Sequence, residues 1–344
     1  DEQAIWTMKK LKSYFEHTEK AVEADERFKY VMAIALDPRS GYREGIIRCI
    51  TSREGNVQIR GYIDRSVLHK VRSDSLEHFN IGNRLSIKNE SEIIDQLGGK
   101  DWDFIGLEDP DIWVDEKNEN IHVYFTLPFK NKTLQGMIIG LGHAEGNDLN
   151  SLTMTMPVLI DKSMKCSAKE VSIAPLNSQG FRYNLIESSD KIDDTYFSTV
   201  RIAKAEEMSK PWQFGETVFH PNKHGIPWIG GHASPGPLLP ETFIDVGAGK
   251  RLGILNGREA NQKEGNGVKY GMFSVGLFIY DYENGKIDWV SQEPFIRDSQ
   301  AKTITFASQF VPTQKYAGIL YAHIDDSFVR AYTIDAEKVK LLLP

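Results

Sequence analysis

Short β-rich runs bounded by turn residues fill the chain from residue 29 onward. Val, Ile, Tyr and Phe dominate these runs, and Gly, Asn, Asp or Pro bounds each one, which is the pattern of β-strands. Long helical periods and low-complexity linkers are absent after residue 28. The sequence therefore predicts one continuous all-β body. Representative runs are YVMAIAL (30–36), GIIRCIT (45–51), IHVYFTL (121–127), STVRIAKA (198–205) and FSVGLFIYDY (273–282).

The strand runs recur as a larger unit. Residues 109–151 and residues 169–212 each contain an opening strand, a polar turn, two apolar strands and a polar segment. The period is roughly 50–60 residues, which is typical of propeller blades. We therefore expect a five-bladed β-propeller over residues 29–344, whose inner strands converge on a central channel. The expected blades lie near 29–90, 104–165, 168–222, 226–295 and 302–341.

The N-terminal residues have a different pattern. Ile5, Met8, Leu11 and Phe15 recur at helical spacing with Lys and Glu between them, which predicts an amphipathic helix within residues 1–28. We expect this N-terminal helix to pack on the main body. Dimerisation through the helix, giving a homo-oligomer, is the alternative.

Composition limits the classes of partner. The net charge of −7 argues against nucleic acid and anionic membranes, and no apolar run reaches the ~18 residues of a membrane span. The two cysteines, Cys49 and Cys166, form no disulfide framework. The first residues lack the pattern of a signal peptide, so the cytoplasm and secretion after signal-peptide removal both stay open. No cofactor is expected.

Acidic residues concentrate in the stretch DWDFIGLEDPDIW, residues 101–113. Asp101, Asp103, Glu108 and Asp109 lie within nine positions, and Asp111 follows. The proline after Asp109 favours extended backbone there, so this carboxylate can point into the channel. Like charges this close disfavour full ionisation, and one group can keep the proton that a general acid needs. A solvated acidic loop with turn-capping carboxylates is the alternative.

The stretch GLEDPDIW (106–113) resembles the Gly-x-Glu-Asp-Pro-Arg-Ile motif of glycoside hydrolase family 130, whose members are mannoside-active five-bladed propellers. Further stretches resemble the family in the same order, over about residues 30–335. These are KEVSIAP (169–175), YNLIESSD (183–190), WIGGHASPGPLL (228–239), LGILNG (252–257), FSVGLFIYD (273–281) and LYAHIDDSFVRAY (320–332).

The resemblance implies roles for individual residues. Asp109 matches the family's proton donor for inverting cleavage of mannosides, and Glu108 precedes it in the motif. Asp325, with Asp326 beside it, matches the last-blade Asp that contacts the sugar. Arg48 matches an arginine on a first-blade inner strand. A turn carboxylate at Asp325 and a structural ion pair at Arg48 are the alternatives.

Departures from the family motif bear on the acceptor. Asp111 stands where the family has Arg. At three positions that bind phosphate in the phosphorylase members, this chain has Lys169-Glu170, Trp228 and Asn256. Phosphate needs several charge-assisted donors, and Glu170 would repel it. The sequence therefore favours a hydrolase that uses water over a phosphorylase.

An inverting hydrolase needs a general base roughly 6.5–9.5 Å from its acid. Glu170 is the first candidate because it stands among the phosphate-binding positions, and Glu259 is the second. Lys169 and His232 are candidates for binding substrate hydroxyls, and Trp228 is a candidate for stacking on a sugar face. Four readings stay open: an inverting hydrolase, a phosphorylase, a non-catalytic saccharide-binding propeller, and a related glycosidase acting on arabinosides or fructosides.

No metal site is expected from the sequence. His220 and His224 are four residues apart, but a Pro-Asn-Lys segment that is not helical separates them. Neither has a third ligand at a spacing that suggests zinc.

Overall fold

Strands make up most of the described chain, which covers residues 13–344 of a computed structural model. Within that range the α-helices are α1 (Glu90–Gly98) and α2 (Ala336–Lys340). Single-turn 3₁₀ helices occupy Pro38–Ser40, Pro221–Lys223 and Pro227–Ile229. The prediction of an all-β body is confirmed. Neither α-helix is long and apolar enough to cross a lipid bilayer.

Antiparallel backbone pairing divides the strands into five units of four strands each, and one parallel bridge between Ser198 and His232 joins the third and fourth units in a single eight-stranded sheet. The first unit contains β2 (Tyr30–Leu36), β3 (Glu44–Glu54), β4 (Ile63–Arg72) and β5 (Asn80–Arg84). The second contains β8 (Glu108–Val114), β9 (Ile121–Asn131), β10 (Met137–Gly146) and β11 (Leu152–Met154). The third contains β12 (Lys169–Ser172), β13 (Arg182–Ile192), β14 (Thr195–Ala205) and β15 (Gln213–Phe219).

The last two units continue this order. The fourth contains β16 (His232–Leu238), β17 (Lys250–Arg258), β20 (Phe273–Asp281) and β21 (Lys286–Val290). The fifth contains β22 (Thr305–Gln314), β23 (Ala317–Ile324), β24 (Phe328–Asp335) and β1 (Tyr14–Val22). The remaining short strands are β6 (Ile87–Lys88), β7 (Trp102–Phe104), β18 (Gln262–Glu264) and β19 (Gly267–Lys269).

The N-terminal segment differs from its prediction. The predicted helix falls partly on residues 1–12, which lie outside the described residues. From Tyr14 to Val22 the chain is strand β1, which pairs antiparallel with β24. Pairing satisfies the backbone groups along the open edge of β24, and this gain overrides a weak helical pattern. Phe15, assigned to the apolar helix face, is 64% exposed.

The first strands of the five units contact one another in a closed sequence. β2 touches β8, β8 touches β12, β12 touches β16, β16 touches β22, and β22 returns to β2. Apolar clusters fill the interior of the units and the spaces between neighbouring ones. Polar side chains on the first strands are therefore left to meet at the centre of the ring.

Candidate active site

Two cavities meet at the centre of the ring, and Asp109 and Glu170 line both of them. The wide cavity has a volume of about 530 Å³ and the narrow cavity about 380 Å³. The polar lining of the wide cavity includes Arg48, Glu108, Lys169, Glu187, His232 and Asp326. The lining of the narrow cavity includes Asp111, Trp113, Glu116, Arg182 and Arg251.

Irregular backbone aims the two shared carboxyl groups at the cavities. Asp109 has a φ of 46° and Glu170 a φ of 53°, in the left-handed region that non-glycine residues rarely adopt. Each lies at a register shift, one in the pairing of β8 with β9 and the other in that of β12 with β13. Bulges of this kind redirect side chains, and strained residues cluster at functional sites.

Arg48 forms ion pairs with two acidic residues of β8, Glu108 and Asp109. Its Nη2 lies 3.0 Å from Glu108 Oε1, and its Nη1 lies 3.0 Å from Asp109 Oδ1. Its Nε donates to Ser66 Oγ at 3.1 Å. Burial raises the pKa of Glu108 to about 7, although Arg48 opposes the shift. Burial also acts to raise the pKa of Asp109, but Arg48 and Lys169 outweigh it and lower that pKa below its usual value.

Asp109 and Glu170 form a hydrogen-bonded carboxyl pair. Burial and the charge of Asp109 raise the pKa of Glu170 well above its usual value. Within the pair, Glu170 is therefore the group that binds a proton more readily, whereas the sequence assigned the proton to Asp109 and the role of base to Glu170. A direct hydrogen bond is also far shorter than the ~6.5–9.5 Å that an inverting acid and base require.

A second charged group faces the wide cavity from the third and fourth units. His232 Nε2 lies 2.7 Å from Glu187 Oε1, and Lys169 Nζ lies 3.3 Å from Glu187 Oε2. Burial opposes ionisation of Glu187, but His232 and Lys169 lower its pKa to about 2. Burial lowers the pKa of His232 despite this partner. The neutral ring donates from Nε2, so its Nδ1 keeps a lone pair.

Sequence reasoning missed a cation in the wide cavity, Arg258. This side chain is 4% exposed, and it forms no ion pair with a carboxylate of residues 13–344. Its Nε is buried without a hydrogen-bond partner. Burial lowers its pKa to about 10. Strand periodicity could have identified this residue. Arg258 lies two residues after Asn256 on β17, and residues two apart on a strand point to the same face of the sheet.

An aromatic rim around the wide cavity was also missed. Tyr62 lines it from the loop before β4, Tyr196 from the start of β14, and Tyr270 from the loop before β20. Arg60 lies over the Tyr196 ring at 5.0 Å, and Arg258 lies over the Tyr270 ring at 4.4 Å. The three tyrosines come from loops and a strand end in different units, so no local pattern in the sequence shows that they converge.

Asp325 does not line either cavity. Its carboxylate accepts hydrogen bonds from the backbone N–H groups of Lys302, Thr303 and Ile304, at 2.8–2.9 Å. Asp325 is therefore a turn carboxylate, which was the alternative to a sugar-binding role. The neighbouring Asp326 faces the wide cavity instead and accepts from Tyr62 Oη at 2.8 Å.

Two further predicted site residues lie away from both cavities. Glu259 is half exposed and pairs with Arg297 at 3.7 Å, so it is not placed to act as a base at Asp109. Trp228 is buried between strands, where its ring packs on Gly257 and Gly276 and its Nε1 donates to Ser291 O at 2.9 Å. The Trp228 ring is therefore not available to stack on a sugar.

Asp111 is expected to make the stability of the protein depend on pH. Burial raises its pKa from 3.8 to about 7. An acid whose pKa is raised by folding loses stability as pH rises from about 4 through about 7. We expect Asp111→Asn, which is always neutral, to raise the melting temperature relative to the native protein at pH 8 and not at pH 5. Asp193→Asn, at an exposed hairpin, is the control and should show no such difference; equal melting curves for Asp111→Asn and native protein at pH 8 would contradict the assignment.

Comparison by sequence finds no matching family model and no matching characterised protein. Comparison by structure finds strong similarity. A β-1,2-mannobiose phosphorylase from Listeria innocua superposes with a TM-score of 0.65 at 10% identity, covering 96% of this chain and 99% of that one. A mannose phosphorylase from Leishmania mexicana, in complex with phosphate ion, gives a TM-score of 0.55 at 12% identity, covering 99% and 94%.

The similarity extends to other glycoside-active proteins. The catalytic domain of a family 62 α-L-arabinofuranosidase from Coprinopsis cinerea gives a TM-score of 0.53 at 8% identity, covering 94% of this chain and 97% of that one. Such identities show a shared fold. The resemblance to family 130 noted in the sequence is therefore confirmed at the level of the fold.

Proposed function

We propose that the five units are the blades of a propeller and that the chain is a glycoside hydrolase acting on a mannoside or a related saccharide. One observation carries this proposal. Asp109 and Glu170, from separate units, meet as a proton-sharing pair in the wall of an open, polar cavity with aromatic residues at its rim. Fold similarity alone does not fix an activity, but this site has the parts that glycoside cleavage needs.

The acid step is proposed to use the proton of the carboxyl pair. Glycoside cleavage requires protonation of the leaving oxygen, and a carboxyl group with a raised pKa can supply the proton near neutral pH. Glu170 holds it in the ligand-free state, and Asp109 is its hydrogen-bonded partner. As the glycosidic bond breaks, the negative charge that develops on the leaving oxygen draws this proton from Glu170 through Asp109, which delivers it directly or through a sugar hydroxyl.

We assign the activation of water to a different residue from Glu170, the first candidate from the sequence. Glu170 is protonated against Asp109, so it cannot also accept a proton from water. We infer that His232 does so, because Glu187 orients its ring and leaves the Nδ1 lone pair free. Arg48, Lys169 and Asp326 are proposed to bind sugar hydroxyls at the cavity wall.

A phosphorylase is the second candidate, and Arg258 supports it. A buried guanidinium without a carboxylate partner is an attractive site for an anion such as phosphate. Lys169 and Arg60 line the same cavity and add positive charge. The sequence counted Lys169 alone at the positions that match the family's phosphate site, so the cavity is more cationic than expected.

The two candidates differ in their dependence on phosphate. We expect release of free mannose from manno-disaccharides in phosphate-free buffer, with no more than a twofold change when phosphate is added. The products are separated by chromatography that resolves mannose from mannose 1-phosphate. Turnover only with phosphate, sensitive to Arg258→Gln, would replace the hydrolase with the phosphorylase. Absence of turnover on any saccharide of the panel, with saccharide binding retained, would favour the non-catalytic propeller.

A further inference from the structure

A cluster of ligating side chains lies on the second unit, outside both cavities. His122 is on β9, and His143 and Glu145 are on β10. Glu145 is the direct cross-strand partner of His122, and His143 is two residues before Glu145. Side chains two residues apart on a strand, and directly opposite across a pair, share a face of the sheet. The pairing of β9 with β10 therefore brings the three residues together.

The ligand atoms are as close as a single metal ion requires. His122 Nδ1 lies 2.9 Å from His143 Nε2 and 3.5 Å from Glu145 Oε2. The three ligand atoms all lie within 4.8 Å of one another. Zinc binds histidine nitrogen at about 2.0–2.1 Å, so two such nitrogens at a tetrahedral angle are about 3.4 Å apart. A small rotation of one ring separates the nitrogens that far.

Thr155 sets the orientation of the His143 ring. Its Oγ1 lies 2.9 Å from Met156 O, to which the hydroxyl proton is donated, and 2.8 Å from His143 Nδ1. Oγ1 therefore accepts from the Nδ1–H of His143. The Nε2 of His143 then carries a lone pair, which accepts from the Nδ1–H of His122 in the metal-free protein. Metal binding would move the His122 proton to Nε2, which frees Nδ1 as a ligand. Fixing of a ligand histidine through its other nitrogen is the usual outer-shell arrangement at metal sites.

Hydrogen bonds do not satisfy all the ring nitrogens of these two buried histidines. His122 is 5% exposed and His143 is fully buried, and His122 Nε2 has no partner. Burial lowers the pKa of both rings, that of His143 to about 3, so both are neutral ligands at neutral pH. The Glu145 side chain is 42% exposed, which gives an ion a way in from solvent.

We propose that His122, His143 and Glu145 bind one transition-metal dication of the zinc type, with water completing the coordination. Two neutral imidazoles and one carboxylate are a ligand set that zinc accepts. The ion would join β9 to β10. The His122 ring also packs on Trp113 of β8, with ring centroids 5.0 Å apart, and β8 carries Asp109. The site is therefore structural, and it stabilises the sheet that presents Asp109.

Zinc titration of chelator-treated protein tests the proposal. We expect isothermal titration calorimetry with ZnCl₂ to show one site per chain and the melting temperature to rise with zinc. Glu145→Gln removes one ligand at a half-exposed position and should weaken zinc binding at least about tenfold. Asp190→Asn is the matched control, because Asp190 pairs with His220 at 3.0 Å without a second histidine. It should bind zinc as the native protein does.

Cobalt provides a second measurement. Co²⁺ bound in a tetrahedral nitrogen and oxygen site gives visible absorption bands, and His122→Gln should abolish them. Equal zinc affinity in the native protein and Glu145→Gln, or absence of a single stoichiometric site, would overturn the proposal. The metal-free melting temperature of Glu145→Gln, compared with that of the native protein, separates loss of a ligand from loss of the fold.

Discussion

Asp109→Asn is expected to lower the turnover of a manno-disaccharide by about 10²–10⁴-fold, the usual contribution of a positioned proton donor. The amide cannot receive the proton of Glu170 and pass it to the leaving oxygen. The side chain keeps its size, so substrate affinity should change much less than turnover. Steady-state kinetics on purified native and variant protein measure both quantities.

Two companion variants sharpen this test. Asp103→Asn makes the same chemical change in the same acidic stretch, but Asp103 pairs with Arg65 at a position where both side chains are 41% exposed. It should keep native turnover. Glu170→Gln removes the proton of the pair and should lower turnover as Asp109→Asn does. Native turnover in Asp109→Asn would remove this residue from the mechanism, whatever the substrate.

Arg48→Met is expected to cost about 3–5 kcal/mol of unfolding free energy at pH 8, as removal of one partner from a buried ion pair does. The arginine is 5% exposed and is the shared partner of Glu108 and Asp109. Without it, the two carboxyl groups lose their ion-pair partner, and Lys169 is left as the nearby cation. Chemical denaturation followed by tryptophan fluorescence measures the loss.

The pH dependence identifies the cause. In the native protein Arg48 and Lys169 lower the pKa of Asp109, a contribution to stability that is present above pH ~4 and lost below it. In Arg48→Met the pKa values of both carboxyl groups rise, so protonation at pH 5 should return part of the lost stability. Arg65→Met, at the exposed pair with Asp103, should change stability by no more than about 1 kcal/mol at either pH. A loss for Arg48→Met that is the same at pH 5 and pH 8 would mean that packing, and not charge, explains it.

Local sequence patterns predicted much of this molecule. Alternation and turn residues located the strand runs, because pleated strands place side chains on opposite faces with a period of two. The proline after Asp109 predicted extended backbone there, whereas Asp109 has a left-handed φ of 46°, which the sequence did not indicate. The acidic stretch singled out Asp109, which lines both cavities, and Asp109 and Glu170 lie near the starts of the first strands of two successive units.

Other features depended on contacts that no local pattern encodes. Asp325 and Asp326 are adjacent and chemically identical, and only the local backbone decides which one caps a turn and which one faces the cavity. The proton of the carboxyl pair is placed by the burial of Glu170 and by cations from distant strands. The His122 and His143 pair was missed because cross-strand register, and not spacing along the chain, brings the rings together.

The pairing of β1 with β24 has a consequence for how the molecule is assembled during synthesis. His17 bonds to Thr333 across 316 positions of sequence, so the fifth unit cannot be complete until nearly the whole chain has been made. Closing so long a loop is entropically costly, and contacts of this range form late and slowly. Until then the edge of β24 lacks its partner, and the newly made chain is open to pairing with other molecules.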